Sequence, residues 1–135
     1  MKAGDAMIRP LVTVGPRDFA RHAGGLMDDF GLAVLPVVDQ GVFQGVVTRV
    51  AVLRGEEGVQ SPHVQEVMSQ PALVATTDTP AATLLDAMIR YEVLCVPVLD
   101  DGHVVGMVTR LSILQLISQN NQNLHVEAGR AAVHS

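Results

Sequence analysis

Apolar residues recur at helical spacing in two stretches of the chain. The second stretch follows Thr79 and Pro80, which predict an N-cap and a first helical residue. In the first stretch Asp18 occupies the equivalent cap position. Gly24-Gly25 lies inside this predicted helix at a cost of about 1 kcal/mol per glycine relative to alanine, for which close helix packing is one compensation. The two apolar stripes are Phe19, Ala23, Leu26, Met27 and Phe30, and Leu84, Ala87, Met88 and Tyr91.

Runs rich in β-branched residues, each interrupted by a turn sequence, predict two β-hairpins. Their turns are Asp39-Gln40-Gly41 and Asp100-Asp101-Gly102. A helix is predicted to follow each hairpin, beginning near Arg49 and near Arg110, and the latter runs to about Ser118. A short apolar segment before each of the earlier helices predicts a first strand. The predicted strands are Leu11–Val14, Leu32–Val38 and Phe43–Thr48, then Leu73–Ala75, Leu94–Leu99 and Val104–Thr109.

These predicted elements form two copies of one pattern, 61 residues apart. Positions 36–53 and 97–114 are identical at nine of 18 sites, whereas unrelated sequences match at about one such site given ordinary residue frequencies. An internal repeat fixes the architecture before any single residue is interpreted. We expect a first repeat at 5–57, a linker at 58–63, a second repeat at 64–118 and a polar C-terminal tail at 119–135.

Composition and charge exclude several classes of function. Of the 135 residues 48% are hydrophobic, which is enough for a core, and the net charge is −5. Nucleic-acid binding depends on neutralising phosphates, so an acidic chain without a basic run argues against it and against a polybasic membrane-surface role. No apolar run approaches the roughly 18 residues that span a bilayer. The one cysteine, Cys95, is predicted to be a buried thiol, and we expect a cytoplasmic protein.

Chemistry-bearing residues outside the repeat motifs do not form a catalytic or metal-binding pattern. The acidic pairs Asp28-Asp29 and Glu56-Glu57 are absent from the equivalent positions of the other repeat, which favours solvated faces over paired catalytic carboxylates. His103 is predicted to be an exposed hairpin residue. We therefore expect no enzyme and no metal site. The remaining histidines are scattered without metal-ligand spacing, at His22, His63, His125 and His134.

The repeated motifs resemble the cystathionine-β-synthase (CBS) domain, and two in tandem resemble a Bateman module. The resembling features are a Met-x-x-Pro opening, an apolar strand leading to Pro-Val-x-Asp, a glycine turn and Gly-x-Val-Thr. The resemblance implies a mixed α/β fold of two β-α-β-β-α repeats packed about a pseudo-twofold axis. It also implies a non-catalytic regulatory homodimer that acts on an unidentified partner protein. Its ligand would be AMP, ADP, ATP or an S-adenosylmethionine-type compound, bound between the repeats.

The predicted binding residues lie where a strand turns into a helix N-terminus, at Thr48-Arg49 and Thr109-Arg110. Free backbone N–H groups and the helix dipole favour an anion there. Two alternatives stay open: the threonines cap the helices, and the arginines are solvated surface charges. The resemblance adds ligand contacts in the preceding strand of each repeat, at Leu35 and Pro36 and at Val96 and Pro97, and a contact at Ser112.

Both copies depart from the family pattern three residues after the threonine. The resemblance implies an aspartate there, whose carboxylate accepts hydrogen bonds from both ribose hydroxyls. This chain has Ala51, which offers no polar side-chain atom, and Ser112, which offers no charge. Losing a charge-assisted hydrogen bond costs about 1.5–3 kcal/mol. The competing hypotheses are a regulatory sensor of an adenine nucleotide or a related phosphorylated metabolite, and a dimerisation or docking module that has lost its ligand.

Overall fold

Each repeat contains a one-turn helix, a longer helix, an antiparallel hairpin and a helix that follows the hairpin directly. The structure, a computed structural model, describes residues 1–8, 12–56 and 61–120. The predicted tail beyond 120 and the linker residues 58–60 therefore lie outside the described residues. The first repeat contains α1 Ala3–Ala6, α2 Ala20–Phe30, β1 Val34–Asp39, β2 Val42–Thr48 and α3 Arg49–Glu56. The second contains α4 Val64–Val67, β3 Ala75–Thr76, α5 Ala81–Arg90, β4 Cys95–Asp100 and β5 His103–Thr109, and a final helix, α6, whose described part covers 110–120.

The two hairpins have the same turn and the same irregularity. Gln40 and Asp101 both have φ 51°, and the glycine after each has φ 80°, which is the type I′ geometry that suits a two-residue hairpin turn. Pairing then skips one residue on the second strand of each hairpin, at Gln44 and at Val105. The skipped residues are again 61 positions apart, so the sequence repeat extends to the strand register. The mixed α/β fold of two repeats with small sheets is confirmed.

The starts of the longer helices differ from the prediction by one residue. The N-caps are Phe19 and Pro80, so the assignment of Thr79 as N-cap and Pro80 as first helical residue is wrong. Thr79 Oγ1 instead accepts a hydrogen bond from the backbone N–H of Thr76 at 2.9 Å. Asp18 Oδ2 accepts one from the N–H of Gly15 at 2.7 Å. These side chains close the turn before the helix, which is why they do not cap the helix itself.

The first strand of each repeat is shorter than predicted. In the second repeat only Ala75 and Thr76 pair, in parallel, with Val98 and Leu99 of β4. In the first repeat Val14 makes a single parallel bridge to Val37, and position 11 lies outside the described residues. The turns that lead into α2 and α5 begin at once after these residues, so the ladders cannot lengthen.

The opening segment of each repeat packs on the other repeat. The N–H of Ile8 donates to the carbonyl of Met107 in the second hairpin at 2.7 Å. Ser69 and Val46 exchange two such bonds in the first hairpin, both of 2.8 Å. Accordingly α1 contributes to the apolar core of the second repeat, and Val64 of α4 to that of the first. The two cores therefore depend on each other.

Close approach of these segments requires glycine in the hairpins. A Cβ built on Gly45 would lie 2.7 Å from the backbone oxygen of Ser69. One built on Gly106 would lie 2.6 Å from Sδ of Met7. The glycine of the Gly-x-Val-Thr motif is thus explained by the crossing segment, which leaves no space for a side chain.

We predict that Gly45→Ala lowers the free energy of unfolding by about 1–3 kcal/mol, because the added methyl group collides with a backbone oxygen that cannot rotate away. Gly25→Ala is the matched control. A Cβ on Gly25 meets no atom within 4 Å, so close packing does not explain this glycine, and alanine should stabilise α2 by about 1 kcal/mol. Urea unfolding of the three proteins tests both values, and an undiminished stability of Gly45→Ala would refute the steric argument.

Candidate functional site

The two threonines at the strand-to-helix junctions cap the helices that follow them. Thr48 Oγ1 accepts a hydrogen bond from the N–H of Ala51 at 3.1 Å. Thr109 Oγ1 accepts one from the N–H of Ser112 at 2.9 Å. In the second repeat Ser112 Oγ also accepts from the N–H of Thr109 at 2.9 Å and donates to its carbonyl at 3.0 Å. Capping therefore uses one acceptor lone pair of each threonine hydroxyl, whereas the Ser112 hydroxyl both donates and accepts and retains one acceptor lone pair for any other group.

The two arginines after the threonines bind backbone carbonyls, so neither is a freely solvated charge. Arg49 donates from Nη2 to the carbonyl of Leu32 at 3.2 Å and forms an ion pair with the exposed Asp28. Arg110 donates from Nη2 to the carbonyl of Met88 at 3.2 Å and makes a longer contact, 3.5 Å, with that of Val93. Both side chains thus hold the end of a helix and the start of the next strand together.

A cleft of about 580 Å³ lies between the repeats beside Thr109 and Arg110. Its volume is within the usual range for small-molecule sites. Both repeats supply its walls, which are mostly apolar. The lining residues are Ile8, Phe30, Gly31, Leu32, Ala33, Val34, Leu94, Cys95, Thr109, Arg110 and Leu111.

Two further cavities adjoin this cleft and share Ile8 with it. One, of about 300 Å³, is lined by Ser112, Gln115 and Gln119 of α6 and by the segment from Asp5 to Ile8. The other holds about 20 Å³, lies among Leu35, Pro36 and their apolar neighbours, and includes Thr109. This last space is about large enough for one water molecule, so it is a packing void next to the cleft.

The structure brings some of the predicted binding residues together and separates others. Thr109 and Arg110 line the large cleft, whereas Ser112, Leu35 and Pro36 line its neighbours. The other four predicted residues line none of these three cavities. Val96 and Pro97 are fully buried in the core of the second repeat, and Thr48 and Arg49 lie at the opposite junction.

Sequence reasoning missed the apolar walls of the cleft. Ile8 reaches the cleft because its segment crosses to the second repeat. Leu32 to Val34 and Leu94 enter it because the starts of β1 and β4 face each other. The sequence signal for these residues is their place in the repeat, since Leu32 to Val34 and Leu94 begin the predicted strands and Ile8 lies within the Met-x-x-Pro opening.

Cys95 lies in the cleft wall as a half-buried free thiol. Burial raises the pKa of this thiol to about 12, and a hydrogen bond from the backbone of Val96 lowers it only in part. At neutral pH the sulfur is therefore protonated and a poor nucleophile. The residue contributes apolar surface to the cleft.

Within residues 1–8, 12–56 and 61–120, no group of three or more His, Cys, Asp and Glu side chains is arranged to hold a metal ion. Over the same ranges no helix is both long and apolar enough to cross a bilayer. His103 is exposed, and its Nδ1 lies within hydrogen-bond distance of the carbonyl oxygen of Gly41, which connects the two hairpin turns.

Comparison with known proteins agrees with the sequence motifs. The CBS domain model matches residues 3–58 and 64–119. The chain is 28% identical over 137 residues to the CBS domain-containing protein YhcV of Bacillus subtilis, with 90% of this chain and 96% of that protein covered. It is 30% identical over 109 residues to inosine-5′-monophosphate dehydrogenase of Korarchaeum cryptofilum, where the match covers 80% of this chain but only 22% of the enzyme.

A solved structure shows the same fold at similar sequence distance. It is the CBS domain pair of protein MJ0100, in complex with 5′-methylthioadenosine and S-adenosyl-L-methionine. The TM-score is 0.76 with 25% identity, and the match covers 87% of this chain and 99% of that one. The tandem repeat, the mixed fold and the motif matches agree, so the chain belongs to the CBS domain family and carries two CBS domains.

Proposed function

We propose that this chain is a non-catalytic regulatory module that binds an adenine nucleotide or a related adenosyl compound between its two CBS domains. The observation that supports this most is the 580 Å³ cleft beside Thr109 and Arg110. Its apolar walls suit the faces of a flat base, and Arg110 supplies a cation for a phosphate. The adenosyl compounds bound by the MJ0100 pair, a protein of the same fold, support the ligand class.

The position of the cleft supports a regulatory role. Leu32 and Val34 come from the first repeat, and Thr109 and Arg110 from the second, so a bound molecule would contact both. Its binding would stabilise the relative arrangement of the repeats that it fits best. The free energy by which the ligand shifts the equilibrium of a partner protein cannot exceed the difference in its binding free energy between the favoured arrangement of the repeats and the alternative one.

The alternative is a docking or dimerisation module without a ligand. Ala51 has no polar side-chain atom, and the hydroxyl of Ser112 is already engaged in the helix cap. The chain therefore lacks a carboxylate at either position to bind ribose. This observation favours the alternative, and the large cleft favours the sensor.

An exposed apolar surface on the helices supports a homodimer within either proposal. Phe30 and Tyr91 are 56% and 61% exposed at equivalent positions of the two repeats. Other equivalent residues share this exposure, and exposed apolar patches are typical of protein interfaces. We call the set the helical apolar surface, and it consists of Phe30, Val50, Leu53, Tyr91, Leu111 and Leu114.

We place the module in the cytoplasm as part of the same proposal. Its one cysteine is a free thiol, and stable disulfides are typical of oxidising compartments. The regulated partner belongs to the proposal only as a protein that contacts this module.

We predict that at least one of AMP, ADP, ATP and S-adenosylmethionine, at millimolar concentration, raises the thermal unfolding midpoint. A ligand at 100 times its Kd stabilises a protein by about 2.7 kcal/mol. Ala33→Trp should abolish the shift because Ala33 lines the cleft and an indole there would obstruct it. The control is Ala82→Trp, which alters an exposed residue of α5 outside the cleft. A thermal unfolding midpoint that none of the four compounds raises would favour the ligand-free alternative.

We predict that the alkylation rate of Cys95 in the folded protein rises about tenfold per pH unit from pH 8 to pH 10. Only the thiolate reacts, and with a pKa of about 12 the thiolate fraction is still far from saturation at pH 10. A thiol with an ordinary pKa levels off within this range. Iodoacetamide labelling followed by mass spectrometry gives the rates, with urea-unfolded protein as the control. A plateau near pH 9 in the folded protein would contradict the burial argument.

We predict that Leu53→Glu with Leu114→Glu converts a dimer into a monomer, because two charges would be buried in the helical apolar surface. Neither residue lines the cleft, so the substitutions add no charge to the cleft wall. Val42→Glu is the control, since Val42 is also 50% exposed but lies in the first hairpin. Light scattering measures the masses. A monomeric parent chain, or a double variant that stays dimeric, would overturn the assignment of this surface.

A further inference from the structure

Among the described residues that line the large cleft, one carries a positive charge and none carries a negative charge. Of these eleven residues, Arg110 is the one with a charged side chain. The other walls are apolar apart from the hydroxyl of Thr109 and the protonated thiol of Cys95. In such surroundings a charge interacts more strongly with a ligand than it would in water.

An ion pair neutralises the charge of Arg49, and none of the described residues forms such a pair with Arg110. Arg49 pairs with Asp28, but the position 61 residues after Asp28 holds Ile89, an exposed apolar residue. Among the described residues no carboxylate lies within salt-bridge distance of Arg110. The two repeats therefore differ in net charge at equivalent junctions.

Arg110 also has donors to spare. A guanidinium carries five N–H groups, and here only Nη2 donates, to the carbonyls of Met88 and Val93. Nε is buried and has no partner in the described part of the chain. A phosphate that reached this side chain would pair with its charge and with donors that the fold leaves unused.

The surroundings of the two arginines differ at a second pair of equivalent positions. Gly31 lines the cleft beside Arg110, and its counterpart in the second repeat is Glu92, an exposed carboxylate. At the Arg49 junction Asp28 pairs with the arginine, and the repeat register assigns Glu92 to the position equivalent to that of Gly31 beside Arg110. Both differences disfavour an anion at the Arg49 junction.

We propose that the chain binds one anionic ligand, of the nucleoside monophosphate class, with its phosphate on Arg110, and that the Arg49 junction takes none. This deepens the proposed function and rests on it. The selectivity is for the negative charge. A neutral adenosyl thioether or a sulfonium compound such as S-adenosylmethionine gains nothing from an unpaired arginine, and the sulfonium is repelled by it.

Calorimetric titration of the full chain with AMP and with 5′-methylthioadenosine tests the proposal. We expect a stoichiometry of one AMP per chain and an affinity for AMP at least about tenfold above that for the neutral compound, which is the usual effect of a charge-assisted hydrogen bond. The AMP affinity should fall as salt is added, and the affinity of the neutral compound should not.

Two variants isolate the role of Arg110. Ile89→Asp supplies the carboxylate that Asp28 supplies to Arg49, and should bring the AMP affinity within about threefold of the neutral compound. Ile89→Asn has nearly the same shape without the charge and should leave the preference intact. Arg110→Gln should remove the preference as well. Arg90→Gln, which removes an arginine of α5 that does not line the cleft, serves as its control.

The outcomes separate this inference from the proposed function. Equal affinities for the two compounds in the parent chain, or two AMP molecules per chain, would overturn the inference and leave a nucleoside-binding module. Binding of neither compound would overturn both. Thermal unfolding of each variant shows whether it is folded. If Arg110→Gln does not fold, Ile89→Asp still tests the inference, because Ile89 is exposed and this variant keeps Arg110 in place.

Discussion

The exchange of opening segments between the repeats is the constraint on which the rest of the structure depends. The segment with Ile8 hydrogen-bonds to the second hairpin, and the segment with Ser69 hydrogen-bonds to the first. Each apolar core is therefore completed by a helix from the other half of the chain. A unit of about 60 residues is only marginally stable alone, and the exchange joins two such units into one domain. It also places Ile8 at the cleft between them.

The strand-to-helix junctions of the two repeats share their backbone structure but differ in side chains that bear on ligand binding. The hairpin turns, the skipped residues, the threonine caps and the arginine contacts to backbone carbonyls are equivalent in the two repeats. Asp28 against Ile89 and Ala51 against Ser112 are not. Substitutions in the core or in the turns would destabilise the fold, whereas these positions are exposed or at helix starts and can differ at little cost. The two junctions therefore share a scaffold and differ in charge.

The sequence predicted the fold well because a constant offset of 61 residues carries register as well as element type. It could not predict the exchange of segments, since the offset is the same whichever hairpin the segment around Met7 packs on. It placed a cap at Thr79 because local patterns do not show that its hydroxyl closes the preceding turn. The backbone partners of Arg49 and Arg110 lie 17 to 22 residues away in the sequence, so local sequence patterns could not predict these hydrogen bonds.

The cleft and the helical apolar surface share residues, so the two proposed activities are not independent. Phe30 and Leu111 line the cleft and are also 56% and 65% exposed on that surface. In the proposed dimer a second copy that covers Leu111 lies next to the mouth of the cleft. A ligand that favours one position of Leu111 then changes the dimerisation constant, and dimerisation changes the ligand affinity by the same factor. Coupling of this kind needs no movement of the buried core, because the ligand and the second copy both contact side chains at the edge of that core.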